Sequence, residues 1–495
     1  MFVRLLLLAG VLGLLVNAPA LRTLKPAQTR HSARTPGSEP LGTALKTCRD
    51  LRVSGKYYLS RDVSSTGVCF GIDADNIDLN LNGHSITYGT GGGTKPTPAI
   101  EGHDCWSKAN PGYEGPCGSE HGGLEVHGGT IVQSKKAAPF SPVFGFGQGS
   151  FDSAPYIHNI RAWFQNTGAQ FYNSNYLPAG ARIENNTIYD NVTDIQQPGQ
   201  GMQSARSAFQ GQAISIGQNA QNPGPGDRIK DNRIEGSPQG GIRTVNQNSV
   251  ISGNDISMNA TYANDFCVDV PANNTVVTKN NCHPRSGRGF HVNADHVIIA
   301  DNIISVIELK QDPEYGGCES GGTYGVQLEF DSSFLSSPPN GVVVKGNTIT
   351  ATAEACQAVG LRLTEMTPAA RNTFTGNTIK TTNSGDAHDF GISTDSSNNA
   401  GVTISGNTFD DQYAYADGEW DGYSFTIGHN TWRGSPAYTF AALDGACDPK
   451  QDGSGAECPS SARFIDRLPN KVKCGPESAA TVTIGPEVTV CKPNQ

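Results

Sequence analysis

The chain has 495 residues, 59 of them glycine, with 36% hydrophobic and 17% charged residues. So little charge argues against a disordered chain, and a helical bundle would carry more Leu, Ala, Glu and Lys, which leaves an all-β protein with many turns. The net charge of −10 argues against nucleic acid as a partner, because phosphate contacts need a basic face.

In chain order, the first twenty residues, "MFVRLLLLAGVLGLLVNAPA", read as a secretory signal. Arg4 supplies the positive start, a leucine-rich run follows, and Ala18-Pro19-Ala20 offers a small-residue cleavage site. An uncleaved anchor is the alternative for the same short run. No other segment is apolar enough to span a bilayer, so the mature protein is expected to be secreted and free of the membrane. Its charge is then −11, since Arg4 is the one charge removed. Residues 21–45 are polar, with Pro and Arg, and read as a loose leader. Residues 89–123 are rich in Gly and Pro, hold Cys105 and Cys117, and read as a long loop thrown out of an early coil.

From there a motif recurs. The copies are "IENNTI" (183–188), "IKDNRI" (229–234), "ISGNDI" (251–256), "IADNII" (299–304), "VKGNTI" (344–349), "FTGNTI" (374–379), "ISGNTF" (404–409) and "IGHNTW" (427–432). The last Asn of each falls at 186, 232, 254, 302, 347, 377, 407 and 430, and a weaker copy, "VTKNNC", offers Asn281. Most intervals lie between the low twenties and thirty, the period of a solenoid. Two intervals, after Asn186 and after Asn302, are about twice as long and hold either an extra coil or an insertion. A second element lies between the copies: "GIRTV" (241–245), "CVDV" (267–270), "GFHVN" (289–293), "GVQLEF" (325–330), "GLRLTE" (360–365) and "GISTD" (391–395). No single run is long enough for an independent sheet, so each strand is expected to pair with its own copy in the next coil. The Asn residues suit corners, because Asn tolerates left-handed geometry and bonds its local backbone, and stacked copies can form an inward amide ladder. A leucine-rich repeat would need a leucine consensus, and these strands use Ile, Val and Phe instead.

The solenoid domain is expected over 46–432. Residues 433–495 leave the repeat, hold four cysteines and end in "ATVTIGPEVTVC", which reads as a strand pair within a disulfide-stapled C-terminal cap. Twelve cysteines behind an export signal read as disulfides. Pairing sequence neighbours gives 48–69, 105–117, 267–282, 318–356, 447–458 and 474–491, with other connectivities open. Sequons at Asn185, Asn191, Asn259 and Asn273 matter only where the host glycosylates.

Over residues 55 to 432 this pattern resembles the right-handed parallel β-helix superfamily of pectate-lyase-like proteins, and "GIDADNIDLNLNGHSI" (71–86) is similar to an early coil of that family. The resemblance supplies the right hand. It also implies a polysaccharide partner, since many members are polysaccharide lyases, glycoside hydrolases or uronan epimerases. Fold alone does not select among these.

Coil stacking turns equivalent residues into columns about 4.8 Å apart. Ile242, Val268, Phe290, Val326, Leu361 and Ile392 are expected to point inward, which sends Arg243, Asp269, His291, Gln327, Arg362 and Ser393 outward. Two residues on, Asn293, Glu329, Thr364 and Asp395 share that face. The bland alternative is a solvated ladder of weak surface pairs. As a site, the row suits β-elimination on a uronide, which needs a carboxyl stabiliser, a base and an acid. Arg243 or Arg362 can serve as the first and His291 as the second, with Asp269 orienting His291. A tyrosine from an insertion, Tyr315 or Tyr324, can be the acid. The resemblance offers an arginine as an alternative base. The candidate catalytic residues are therefore Arg243, Asp269, His291 and Arg362, and the candidate substrate contacts are Gln327, Glu329, Asn293 and Trp420.

A polysaccharide lyase is the first reading. A hydrolase would need two flanking carboxyls, and Asp269 and Glu329 are about 12 Å apart by coil geometry. A C5 epimerase or a non-catalytic glycan-binding solenoid completes the set. No cofactor is assigned. "DADN" (73–76) and "DVPANN" (269–274) leave calcium open without the spacing of an EF-hand. His291 and His296 lack a third ligand for zinc. Oligomeric state is not legible.

Overall fold

The structure is a computed structural model. It describes residues 42–102, 122–138, 141–146, 155–165, 170–174, 180–190, 212–217, 225–236, 240–258, 266–284, 288–308, 323–330, 338–354, 357–364, 371–384, 389–394, 402–410, 413–417, 426–428, 430–432, 440–442, 471–472, 478–484 and 488–493. The signal sequence and residues 21–41 of the expected leader lie outside the described residues; the end of the leader is corrected, since Thr43–Leu45 is a strand paired with Tyr57–Leu59 and Leu45 is buried in the core.

Most coils contribute three short strands, and in two early coils Glu125–Gln133 and Tyr156–Phe164 each run continuously through two of the three positions. In one three-stranded coil, Gly240–Thr244 is followed by Val250–Ser252 and Asp255–Met258. The next coil then begins at Phe266–Val270 and repeats the order. Each of these strands pairs in parallel with its equivalent one coil away: Ile242 with Val268, Ile251 with Val277, Ile256 with Cys282. Among the described residues this builds a 13-stranded parallel sheet on one face and a 26-stranded sheet folded over the other two. The protein is a right-handed parallel β-helix, the hand that right-twisted parallel strands favour. The expected inward column of Ile242, Val268, Phe290, Val326, Leu361 and Ile392 lies at 0–2% exposure in a continuous apolar core.

One corner is held by an asparagine ladder. Asn186, 232, 254, 280, 302, 347, 377, 407 and 430 are buried at 0–1% exposure. Each Nδ2 donates to the Oδ1 of the next asparagine at 2.9–3.0 Å. The same Oδ1 accepts the backbone N–H of the preceding asparagine, as in Asn186 N–H to Asn232 at 3.1 Å. Nδ2 also donates to a strand carbonyl of the coil before, as from Asn232 to Ile183 O at 2.8 Å. A buried amide therefore has its polar groups matched at each step. The residue before eight of the ladder asparagines, Asn186 to Asn407, turns the corner in left-handed geometry, with φ between 54° and 68° at Asn185, Asp231, Gly253, Lys279, Asp301, Gly346, Gly376 and Gly406. That is why Gly, Asn and Asp dominate the position.

The ladder settles two sequence questions. Asn186 bonds Asn232 directly, and Asn302 bonds Asn347 directly. Both long intervals therefore hold insertions between adjacent rungs, not additional coils. In "VTKNNC" the ladder residue is Asn280, correcting the expectation of Asn281. Lys279 takes the left-handed turn, and Asn281 faces out, donating to Asp255 at 3.1 Å.

A second correction concerns the region read as a loop over 89–123. Ile100–Gly102 is a strand, and Ile100 and Glu101 pair with Phe144 and Gly145 in the 13-stranded sheet. At the far end Phe440–Ala442 and Lys471–Val472 add strands to both sheets beyond residue 432. The expected C-terminal strand pair forms as Ser478–Ile484 antiparallel to Val488–Pro493.

The disulfides Cys48–Cys69 and Cys267–Cys282 are formed as sequence neighbours. In each of the other four expected pairs at least one cysteine lies outside the described residues. Cys267–Cys282 replaces a recurring contact across the core. In neighbouring coils a glycine faces an isoleucine, as Gly289 faces Ile304, and a Cβ on Gly289 would lie 2.6 Å from the Ile304 Cγ2. In this coil two cysteines bridge the equivalent positions.

The ladder predicts a contrast between adjacent residues. Asn280→Ala leaves buried amide and backbone groups unpaired and is expected to destabilise by about 2–4 kcal/mol. Asn281→Ala is expected to change stability by no more than about 0.5 kcal/mol. Urea denaturation of the two variants, followed by circular dichroism, checks the difference.

Candidate functional site

The expected outward column is continuous in the 13-stranded sheet. Arg243 pairs in register with Asp269, Asp269 with His291, His291 with Gln327, and Gln327 with Arg362. Parallel pairing places these side chains side by side on one face. The column also runs back through Ser215, Asn173, Gly145 and Glu101, rungs that the sequence reading did not include.

Arg243 Nη1 donates to Asp269 Oδ2 at 2.5 Å, and the other oxygen, Oδ1, meets His291 Nδ1 at 2.9 Å. On its far side, His291 Nε2 lies 3.2 Å from Glu329 Oε2. Gln327 Nε2 donates to that same Glu329 oxygen at 2.8 Å. The charges thus alternate along a chain of four groups. Side-chain exposure rises along it, from 4% at Arg243 and 5% at Asp269 to 13% at His291 and 36% at Glu329. A solvated ladder would leave all four wet, so the row is not an ordinary surface ladder.

The environment sets the charge states. Burial pushes the Asp269 carboxyl up, but the Arg243 charge and the His291 contact outweigh it and hold the group below its ordinary value. Burial pulls His291 down, but its two carboxylate neighbours, Asp269 and Glu329, outweigh that and raise it above its ordinary value. The imidazole lies against the Phe266 ring, with centroids 4.4 Å apart and planes 19° apart.

These contacts separate the two arginines proposed from sequence. Arg243 is buried against Asp269 and acts as its counter-charge. Arg362, farther along the column, lies over the Tyr324 ring at 4.4 Å. Tyr324 does not come from an insertion, as expected; it belongs to the strand Thr323–Leu328 and is 1% exposed. Asn293 follows the strand Arg288–Val292 and is closed off at 1% exposure. Trp420, Tyr315 and Asp395 lie outside the described residues.

The column preceding the small residue of each strand motif is not among the sequence expectations, which named only its Tyr324. Phe266, Arg288 and Tyr324 share register positions. The Arg288 guanidinium lies 4.9 Å from the Phe266 ring centre and 6.0 Å from that of Tyr324. The strand motif was read from its small residue onward, which left the preceding residue uncounted.

Elsewhere, His127 stacks on His158 at 5.0 Å, with Asp78 and Glu125 as their acidic partners. His296 sits at a corner with φ 55°. In "DADN", Asp75 accepts the Gly122 N–H at 2.8 Å, and Asp73 lies 3.6 Å from Arg52. Among the described residues no group of three His, Cys, Asp or Glu side chains converges as a metal set. Among them, too, no helix is long and apolar enough to cross a membrane.

The architecture defines the chain as a parallel β-helix protein. No family model matches the sequence, and no curated protein matches it. Similar solved structures include the tailspike protein of E. coli bacteriophage HK620 in complex with pentasaccharide, 13% identical, covering 81% of this chain and 60% of that one at a TM-score of 0.39. The A-module of the Azotobacter vinelandii mannuronan C-5 epimerase AlgE4 is 11% identical, covering 79% of this chain and 89% of its own at 0.36. The periplasmic alginate epimerase AlgG is 12% identical, covering 86% and 78% at 0.33. The chain spans about three fifths of the tailspike it matches. Likeness at this level concerns the fold alone.

The raised His291 value carries a stability signature. A group whose folded pKa exceeds its unfolded value stabilises below the unfolded pKa, near 6.5, and loses that contribution as pH rises through the folded pKa. His291→Gln is therefore expected to destabilise more at pH 6 than at pH 9. Paired denaturation curves at the two pH values check the sign.

Proposed function

We propose that the protein is a secreted enzyme acting on an extracellular polysaccharide, and that its reaction begins with removal of the C5 proton of a uronide. The observation that carries this reading is the graded row, in which a buried ion pair stands behind a histidine and a half-exposed carboxylate stands in front of it. Such a chain fixes one imidazole orientation and directs its reactive edge toward the open face.

In this reading Asp269 holds His291 through Nδ1, and Arg243 keeps Asp269 charged. The substrate displaces Glu329 from Nε2, which then takes the C5 proton. Arg362 stabilises the carboxyl group as charge builds on it. In elimination the C5–H electrons form a C4–C5 double bond, the C4–O bond breaks, and the leaving oxygen takes up a proton. A C5 epimerase shares the first step and returns a proton to the opposite face. Hydrolysis is less well supported, because both Asp269 oxygens are engaged and its pKa is lowered, which removes one of the two carboxyls as an acid.

A screen of polyuronides and neutral glycans, recording ultraviolet absorbance and reducing ends together, tests the reaction. Elimination raises both signals, and His291→Gln is expected to lower kcat by about 10²–10⁴-fold. Reducing ends without absorbance would replace elimination by hydrolysis. Altered uronate stereochemistry in an uncut chain would indicate epimerisation.

The pH profile tests the base. Neutral His291 is the active form, so kcat/KM is expected to rise with pH through a value above 6.5. Glu329→Gln removes one raising charge and should move that limb to lower pH. An unmoved limb would remove His291 from the role of base.

A further inference from the structure

We propose that Phe266, Arg288, Tyr324 and Arg362 form a binding rail for the carboxylates of an acidic sugar chain, running along the solenoid axis beside His291. The proposal rests on the uronide reading above and extends it to how the polymer lies.

Register brings the parts together. Phe266, Arg288 and Tyr324 are consecutive rungs of one column, and Arg362 reaches Tyr324 from the neighbouring outward column. Flat groups alternate along the axis: the Phe266 ring, the Arg288 guanidinium at 4.9 Å, the Tyr324 ring at 6.0 Å from Arg288, and the Arg362 guanidinium at 4.4 Å from Tyr324. An aromatic face orients a guanidinium and lowers the entropy lost when it binds an anion. Phe266 holds His291 as well, at 4.4 Å, so one ring brackets the proposed base and the first cation.

The ligand class follows from charge and spacing. The chain carries a net charge of −10, yet two guanidinium groups are concentrated beside the row. A planar guanidinium suits a planar carboxylate. Arg288 and Arg362 are two coils apart and three register positions apart across the strands, but both guanidinium groups turn toward the Tyr324 ring, at 6.0 Å and 4.4 Å from its centre, which keeps them within about 10 Å of each other. A chain lying along the axis can then place the carboxylate of the reacting sugar at Arg362 and that of another sugar of the same chain at Arg288. Arg243 cannot contribute, because its charge is matched to buried Asp269.

The test uses the full-length protein with His291→Gln, so that ligands are not consumed. Calorimetry measures binding of oligomers of alginate and of polygalacturonate, each beside its carboxyl-reduced neutral form. At least one acidic oligomer is expected to bind more tightly than its neutral form. Adding Arg288→Gln or Arg362→Gln is expected to weaken that binding about tenfold, on the scale of one charge-assisted hydrogen bond, and to leave neutral binding unchanged. Arg288→Lys, which keeps the charge but loses the flat stack, should recover part of the loss.

Equal affinity for acidic and neutral forms, no binding of either acidic oligomer, or equal loss of both in the arginine variants would overturn the rail. Arginine-dependent binding without any turnover by the wild-type protein would uphold the rail and sink the elimination reading. Turnover that is insensitive to Arg288→Gln would do the reverse.

Discussion

Coil-to-coil register is the constraint on which the rest of this structure depends. A parallel solenoid has no hairpin turns to set its pairing, and a slip by one residue would send every inward side chain outward. The buried asparagine ladder prevents this at one corner. Each amide is matched only when its rung sits directly above the last, and a slipped rung would strand several buried polar groups at about 1–3 kcal/mol each. Chemistry on the outer face is possible because this corner keeps the columns aligned. Arg243, Asp269 and His291 come from strands 22 and 26 residues apart in sequence, yet they meet within hydrogen-bonding distance.

The row then uses the solenoid's geometry in a second way. Its residues run along the axis, but their exposure is graded across the face. Arg243 and Asp269 form a closed pair whose charges satisfy each other. A buried pair of this kind is weak evidence for stability, since well-packed apolar residues would serve as well. Its value lies in fixing the charge and orientation of the next group. Phe266 adds a flat wall, and Glu329 with Gln327 closes the open side. His291 is consequently held at both ring nitrogens and one face, and only a ligand able to replace Glu329 reaches Nε2. Arg288 and Arg362, held on aromatic rings, extend the same face along the axis.

Much of this was legible in the sequence because a solenoid writes its contacts periodically. The alternation in "GIRTV", "CVDV" and "GFHVN" was enough to separate the inward Ile242, Val268 and Phe290 from the outward Arg243, Asp269 and His291. The misreading of Asn281 for Asn280 shows where periodicity is insufficient. Two adjacent asparagines give no local signal, but the flanking Val277 and Cys282 align with the apolar residues Ile251 and Ile256 of the neighbouring copy, and that alignment selects Asn280. The Phe266, Arg288 and Tyr324 column was hidden for a different reason. Its residues differ in chemistry from coil to coil, so no consensus marks them, and they precede the glycine or cysteine that anchors the motif. The early rungs at Glu101 and Asn173 were obscured by insertions that break the period. Exposure itself was not readable: nothing in the pattern distinguishes the closed Arg243 from the half-open Glu329.

The account's central claim is that the graded row meets the polymer. A crystal structure of the His291→Gln protein with a bound oligouronide tests it most directly. The predicted result is a sugar chain along the solenoid axis, with C5 of one residue facing position 291, the Glu329 carboxylate displaced, and carboxylates at Arg288 and Arg362. An oligouronide seated on another face, or one lying across this face with its C5 atoms turned away from position 291, would contradict the account.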